Sequence, residues 1–131
     1  MGILRVKDAT VRFDRIDPAG FRILGSLDRI AREVPYDLTV TCGSEAHPAS
    51  DPHTLGRAYD VRTHDLTLDR KLYILRAVLL DLQEGADDAP VTLATVPVPN
   101  FATRSFFGQL EHPGQEDEHL HYQRRKGATF P

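Results

Sequence analysis

DPHTLGRAYDVRTHDL, residues 51–66, decides how the rest of the chain is read. It sets His53 and Asp60 seven positions apart, with Gly56 and Ala58 between them. A glycine permits a tight turn or a close backbone approach. GRAYDVR is the length of one short strand, and on a strand Ala58 and Asp60 face the same side. Asp60 can then point back toward His53, and the small Ala58 leaves room between them. A polar surface turn would carry these residues, and so would two ligands of a metal site. The chain holds 6 histidines in 131 residues, so imidazole donors are plentiful.

Working outward, the segment before this stretch reads as strand, helix, strand. LRVKDATVRF (4–13) alternates loosely and suits one or two short strands. Asp17 followed by Pro18 is a helix start, and Pro35 ends that helix. Phe21, Leu24, Leu27, Ala31 and Val34 supply its apolar face. YDLTVTCG is a strand, and GSEAHPASDPH a surface loop. After the stretch, Thr67 or Asp69 caps a second helix over about 70–84, with Leu72, Leu75, Val78, Leu79 and Leu82 as its buried stripe. VTLATV reads as a strand, the run from Pro97 to Glu118 as a long irregular loop, EHLHYQ as a last strand, and 124–131 as a tail. The fold class is α+β: a small, mainly antiparallel sheet with two main helices on one face.

The length favours one domain over 1–131, with a core over about 17–123. The net charge of -3 gives no electrostatic footprint for nucleic acid. Cys42 is the single cysteine, which excludes an internal disulfide and a thiolate-rich zinc site. No apolar run approaches membrane-spanning length, and MGILRVKDATVRF carries no signal-peptide core. The expectation is a chain cytoplasmic at synthesis, with no membrane partner.

A catalytic zinc needs three protein ligands and an open position. EHLHYQ offers His119 and His121 on one strand face, with Glu116, Asp117 and Glu118 just before them. Glu118, Leu120 and Tyr122 share the other face. His64 reads as a surface residue, His47 and His112 as solvated loop histidines, and Cys42 as a small apolar filler.

His53-x-x-Gly56-x-Ala58-x-Asp60 resembles the core motif of the zinc D-alanyl-D-alanine carboxypeptidases and related peptidoglycan endopeptidases, whose fold the hedgehog signalling domain shares. EDEHLH resembles that family's second motif, and the order of elements over roughly 17–123 is similar too. The resemblance implies zinc held by His53, Asp60 and His121, Glu118 as general base, and His119 as a neighbour of the site. It implies hydrolysis of an amide bond in the peptide stem of bacterial peptidoglycan. The family's Ser two residues before the motif histidine is Asp51 here, and Glu45 and Ala46 stand where a substrate-binding arginine is expected. Arg57, Arg62 and Arg104 are candidates to replace it.

Two functions follow as expectations. One is a zinc peptidase acting on the cell wall, of the kind a phage or prophage lysin would be, released through a holin or carried in a virion. The other is a zinc-binding structural or interaction module of the same fold without turnover, such as a virion or tail component.

Overall fold

Asp17 and Thr67 set the two helices in place. The Asp17 carboxylate accepts the Ala19 N–H at 3.0 Å and caps α1 (Pro18–Glu33). The Thr67 hydroxyl accepts the Arg70 N–H at 3.3 Å and caps α2 (Leu68–Leu82). The protein is described by a computed structural model over residues 1–45 and 51–127. His47 and Ala46 lie outside those residues.

Six strands form one sheet: β1 (Leu4–Val6), β2 (Leu38–Cys42), β3 (Ala58–Arg62), β4 (Asn100–Ala102), β5 (Phe106–Glu111) and β6 (His119–Arg124). Their order is β1-β2-β3-β6-β5-β4. The pairing is antiparallel except between β1 and β2, which run parallel because α1 connects them. The α+β class with a mainly antiparallel sheet is therefore observed, with more strand than the sequence suggested.

Tyr59, Val61, Phe106, Leu110, Leu120 and Tyr122 face the helices and meet Ile23, Leu27, Ile74, Leu75, Val78 and Leu79 in one core. Each such large aliphatic side chain contributes roughly 1.5–3 kcal/mol through burial. The helices are fastened to each other by Arg29, whose guanidinium grips Asp81 at 2.7–3.1 Å, and by the Ser26 hydroxyl, which donates to the Val78 carbonyl.

Three expectations need correction. Phe21 is 63% exposed, and Ile23 and Ile30 take its place on the buried face of α1. VTLATV makes one bridge, Val91 to Ala102, and then turns. Asn100 holds it there, its amide accepting from Leu93 N–H and donating to the Leu93 and Val98 carbonyls, so a side chain replaces a ladder. The run from Pro97 to Glu118 is no irregular loop but contains the β4–β5 hairpin, in which Phe106, Gly108 and Leu110 alternate inward. Gly108 is required there: a Cβ would sit 2.9 Å from both Leu79 and Tyr122 side chains.

Candidate metal centre

The face of the sheet away from the helices carries the polar cluster. Along β3, Tyr59 and Val61 point to the core, so Asp60 points to the open face. Along β6, Leu120 and Tyr122 point inward, so His119, His121 and Gln123 point out. Asp60 and His121 are cross-strand partners, as are Gln109 and His121, and Glu111 and His119. Close antiparallel pairing thus brings residues 60, 111, 119 and 121 to one place.

His53 joins them from the turn before β3. The Asp51 carboxylate accepts the His53 N–H at 2.8 Å, and the Leu55 N–H bonds to the Asp51 carbonyl at 3.2 Å, so Asp51 braces the turn. Gly56 follows at φ 70, where a Cβ would lie 2.1 Å from the Arg15 carbonyl oxygen. Gly56 accepts the Asp17 N–H, and Gly20 of α1 packs directly on its carbonyl. Both uses of a glycine, left-handed backbone and close approach, are realised at this one residue. Ala58 is fully buried, as the room between His53 and Asp60 requires.

Asp60 Oδ1 lies 3.3 Å from His53 Nε2 and 2.9 Å from His121 Nδ1. The edges of a tetrahedron with metal bonds of about 2.0–2.1 Å are about 3.3 Å, so Asp60 Oδ1 stands at a small-cation spacing from each histidine nitrogen, while His53 and His121 belong to two separate clusters that share Asp60. All three residues are buried, and the His53 and His121 rings meet edge to face at 5.1 Å. Asp60, Glu111, His119 and His121 likewise offer ligand atoms that all lie within 4.8 Å of one another, and Cys42, His53 and Asp60 do the same. A cluster of Asp, Glu and His that can bind a metal ion is therefore present. It lines a cleft of about 360 Å³ whose walls include Asp51, Gln109 and Gln123.

Neighbouring residues orient the ligands. His121 Nε2 donates to Gln123 Oε1 at 2.7 Å, which leaves Nδ1 facing Asp60. His119 Nδ1 donates to the Asp117 carbonyl at 2.7 Å, which turns Nε2 toward Glu111 at 3.0 Å and Asp60 at 3.6 Å. Burial alone would raise the Asp60 pKa, but the hydrogen bonds from His121 and His53 hold it well below the usual carboxylate range. Burial would lower the histidines, yet Glu111 and Asp60 push His119 up to about 9, and Asp60 raises His121. The hydrogen bond from His119 lowers Glu111.

Cys42, expected as a small filler and not a nucleophile, is half-buried beside Asp60, with its sulfur within 4.8 Å of ligand atoms of His53 and Asp60. A bulge between Val40 and Cys42 turns its side chain to the Asp60 side of the sheet. Burial and the nearby Asp60 and Glu45 push its thiol up to about 12, so it remains protonated at neutral pH.

Glu118 does not reach the cleft. It shares the parity of Leu120 and Tyr122, and its carboxylate accepts from the Thr63 hydroxyl at 2.7 Å and the Gly114 N–H at 2.7 Å while pairing with the Lys71 ammonium. Glu111 is the acid beside the histidines, and it lies on β5, within the run whose composition suggests an irregular loop. Arg104 is also remote: its guanidinium lies 3.6 Å from Asp87 and 4.0 Å from Glu84, beyond the far end of β5. Arg57 is near, on the turn leading into β3, where it pairs with Asp17 at 3.0 Å. His64 is exposed, and His112 sits at φ 52 in the β5–β6 turn.

A scan against protein-family models gives no match, and searches of curated proteins and of solved structures give none either. Among the described residues, no helix is long and apolar enough to cross a membrane.

Proposed function

We propose that the chain is a zinc-dependent peptidase that hydrolyses an amide bond in the peptide stem of bacterial peptidoglycan, with His53, Asp60 and His121 as the metal ligands. The observation that carries this reading is the position of Asp60 Oδ1, 3.3 Å or less from a nitrogen of each histidine, at the floor of an open cleft. Mixed imidazole and carboxylate donors suit zinc better than calcium or magnesium, which favour all-oxygen shells. Zinc held there would supply Lewis acidity and a water whose pKa falls toward about 7.

The chain's own residues supply the rest. Glu111 and His119 form a hydrogen-bonded acid–imidazole pair on the rim of the ligand set, and we assign them the proton transfers that the sequence had suggested for Glu118. His119, anchored by the Asp117 carbonyl, holds its proton at Nε2 toward Glu111 and the cleft. Glu111→Gln should keep the metal and lose about 10²–10⁴ in rate, the usual share of a positioned acid or base.

A second reading is a non-hydrolytic metal-binding module, for example a virion component. It is favoured by the crowding of four further donors, Cys42, Glu111, His119 and Asp60 Oδ2, around the ligands. A closed coordination shell stabilises a fold without leaving room for substrate. Metal content and cell-wall hydrolysis measured on one sample separate the two. Wall clearing that chelator abolishes and zinc restores is the expected result. Stoichiometric zinc without clearing would favour the module, and no bound metal would end both readings.

A further inference from the structure

The two oxygens of Asp60 face different partners. Oδ1 meets His53 Nε2 at 3.3 Å and His121 Nδ1 at 2.9 Å, while Oδ2 stands 3.6 Å from His119 Nε2. His119 Nε2 in turn lies 3.0 Å from Glu111 Oε1. Asp60, Glu111, His119 and His121 come from β3, β5 and β6 and form one donor cluster, and His53 sits in the other cluster that holds Asp60. A cation at Asp60 Oδ1 therefore leaves a second set of donors beside it: Asp60 Oδ2, Glu111 and His119. Their spacings, 3.0 and 3.6 Å, straddle the edge of about 3.3 Å that a tetrahedral cation with bonds of about 2.0–2.1 Å requires. His119 is already turned toward this position. Its Nδ1 donates to the Asp117 carbonyl at 2.7 Å, the kind of outer bond that fixes a ligating imidazole. Asp60, Glu111 and His119 all line the open cleft, so an ion can enter from solvent.

We propose that the centre takes two divalent cations of the zinc class, with Asp60 as the bridging carboxylate and Glu111 and His119 as the remaining protein ligands of the second ion. The inference rests on the peptidase reading and adds regulation to it. Glu111 and His119 are the pair assigned the proton transfers. As ligands of a second ion they no longer share a hydrogen, and neither can pass a proton. The hydrogen that His119 Nε2 gives up goes to solvent. The singly loaded chain is then the active form and the doubly loaded chain the silent one. Two-metal sites hold their ions about 3.5–4 Å apart. Positive charges that close repel, so the second ion binds more weakly than the first, and the free cation level sets the silent fraction. Divided between two ions, Glu111, His119 and Asp60 Oδ2 no longer crowd a single shell.

The test is titration of the metal-free full chain with zinc, read by calorimetry, and with cobalt, read by electron paramagnetic resonance. Zinc should bind in two steps, to two ions per chain. The cobalt signal per ion should fall in the second step, because paramagnetic ions that share a carboxylate broaden each other's lines. Glu111→Gln and His119→Ala keep His53, Asp60 and His121 in place, and each should bind one ion with its cobalt signal undiminished. In wild type, wall clearing should rise with the first equivalent of zinc and fall about 10²–10⁴-fold with the second. No ion, a single ion per chain, or a second ion that both variants keep and whose signal simply adds would overturn the proposal. Because loading is read without turnover, two interacting ions in a chain that clears no wall at any loading would keep the second site and end the peptidase reading. One ion in a chain that clears walls would do the reverse.

Discussion

Asp60 and Glu118 are both carboxylates held below their ordinary pKa; Glu118 lies three residues from His121, the cross-strand partner of Asp60, and the two acids face opposite sides of the sheet. Glu118 is satisfied by groups that are permanent: the Thr63 hydroxyl, the Gly114 N–H and the Lys71 ammonium. Asp60 is satisfied by imidazole nitrogens, and an imidazole can exchange its proton for a metal. A buried carboxylate marks a functional site only when its partners are ones that a ligand can replace. The same sheet therefore uses one acid to tie the start of β6 to α2 and another to hold an imidazole cluster that can bind a metal ion.

The sharpest break of this comparison is a pair of substitutions. Asp60→Ala should abolish stoichiometric metal binding and all hydrolysis, since two histidines alone make a weak site. Glu118→Gln should keep metal content and activity per folded molecule, but lower stability by up to about 3 kcal/mol, because the Lys71 ammonium, 16% exposed, loses its counter-charge. Elemental analysis, wall clearing and thermal melts on both variants decide it. If Glu118→Gln lost hydrolysis with its melting point intact, the assignment of proton transfer to Glu111 and His119 would fall.

Much of this was legible in the sequence, for identifiable reasons. Asp17–Pro18 and Thr67 wrote both helix starts, and the parity of EHLHYQ already put His121 and Glu118 on opposite faces. That parity was outweighed by the three-residue spacing of Glu118 to His121, which is a helical or loop distance and not a strand one. Glu111 was illegible while residues 106–111 passed for loop, although Phe106, Gly108 and Leu110 alternate as an inward face should. Asp51 could not be judged from its type alone: it differs from the serine of the similar motif, yet it braces the His53 turn through its own carboxylate. The meeting of Arg57 with residues 124–126 around one cavity depends on the β3–β6 ladder, a contact no local pattern encodes.

A smaller effect sharpens the account of how Asp60's partners are aimed. Gln123 accepts from His121 Nε2, so Gln123→Leu should release the ring and weaken metal binding by about 10–100-fold without unfolding the chain. Competition against a chelating dye measures it. An unchanged affinity would mean that pairing across β3 and β6 alone fixes the ring.

Asp17 belongs to the Glu118 kind: burial would raise its pKa, but the Ala19 N–H and Arg57 outweigh that and lower it. A carboxyl with a lowered folded pKa contributes stability that is complete above its ordinary value of 3.8 and is lost as pH falls through the folded value. The melting-point gap between wild type and Asp17→Asn should therefore be constant at neutral pH and shrink below about pH 4. A gap that persists into acid would show that the cap geometry, not the charge, is what Asp17 contributes.

The smallest effect is expected at Arg104, a substrate-binding candidate that does not line the metal cleft. Its guanidinium is 58% exposed and its two acids stand at 3.6 and 4.0 Å, the range in which an ion pair is worth about 0–1 kcal/mol. The backbone, not the side chain, does the structural work there, since the Arg104 N–H donates to buried Asp88 at 2.7 Å and any residue but proline can repeat that bond. Arg104→Ala should leave metal affinity and hydrolysis unchanged, and shift stability by less than about 0.5 kcal/mol. Loss of hydrolysis in Arg104→Ala with its melting point intact would mean that this arginine reaches the substrate from outside the cleft.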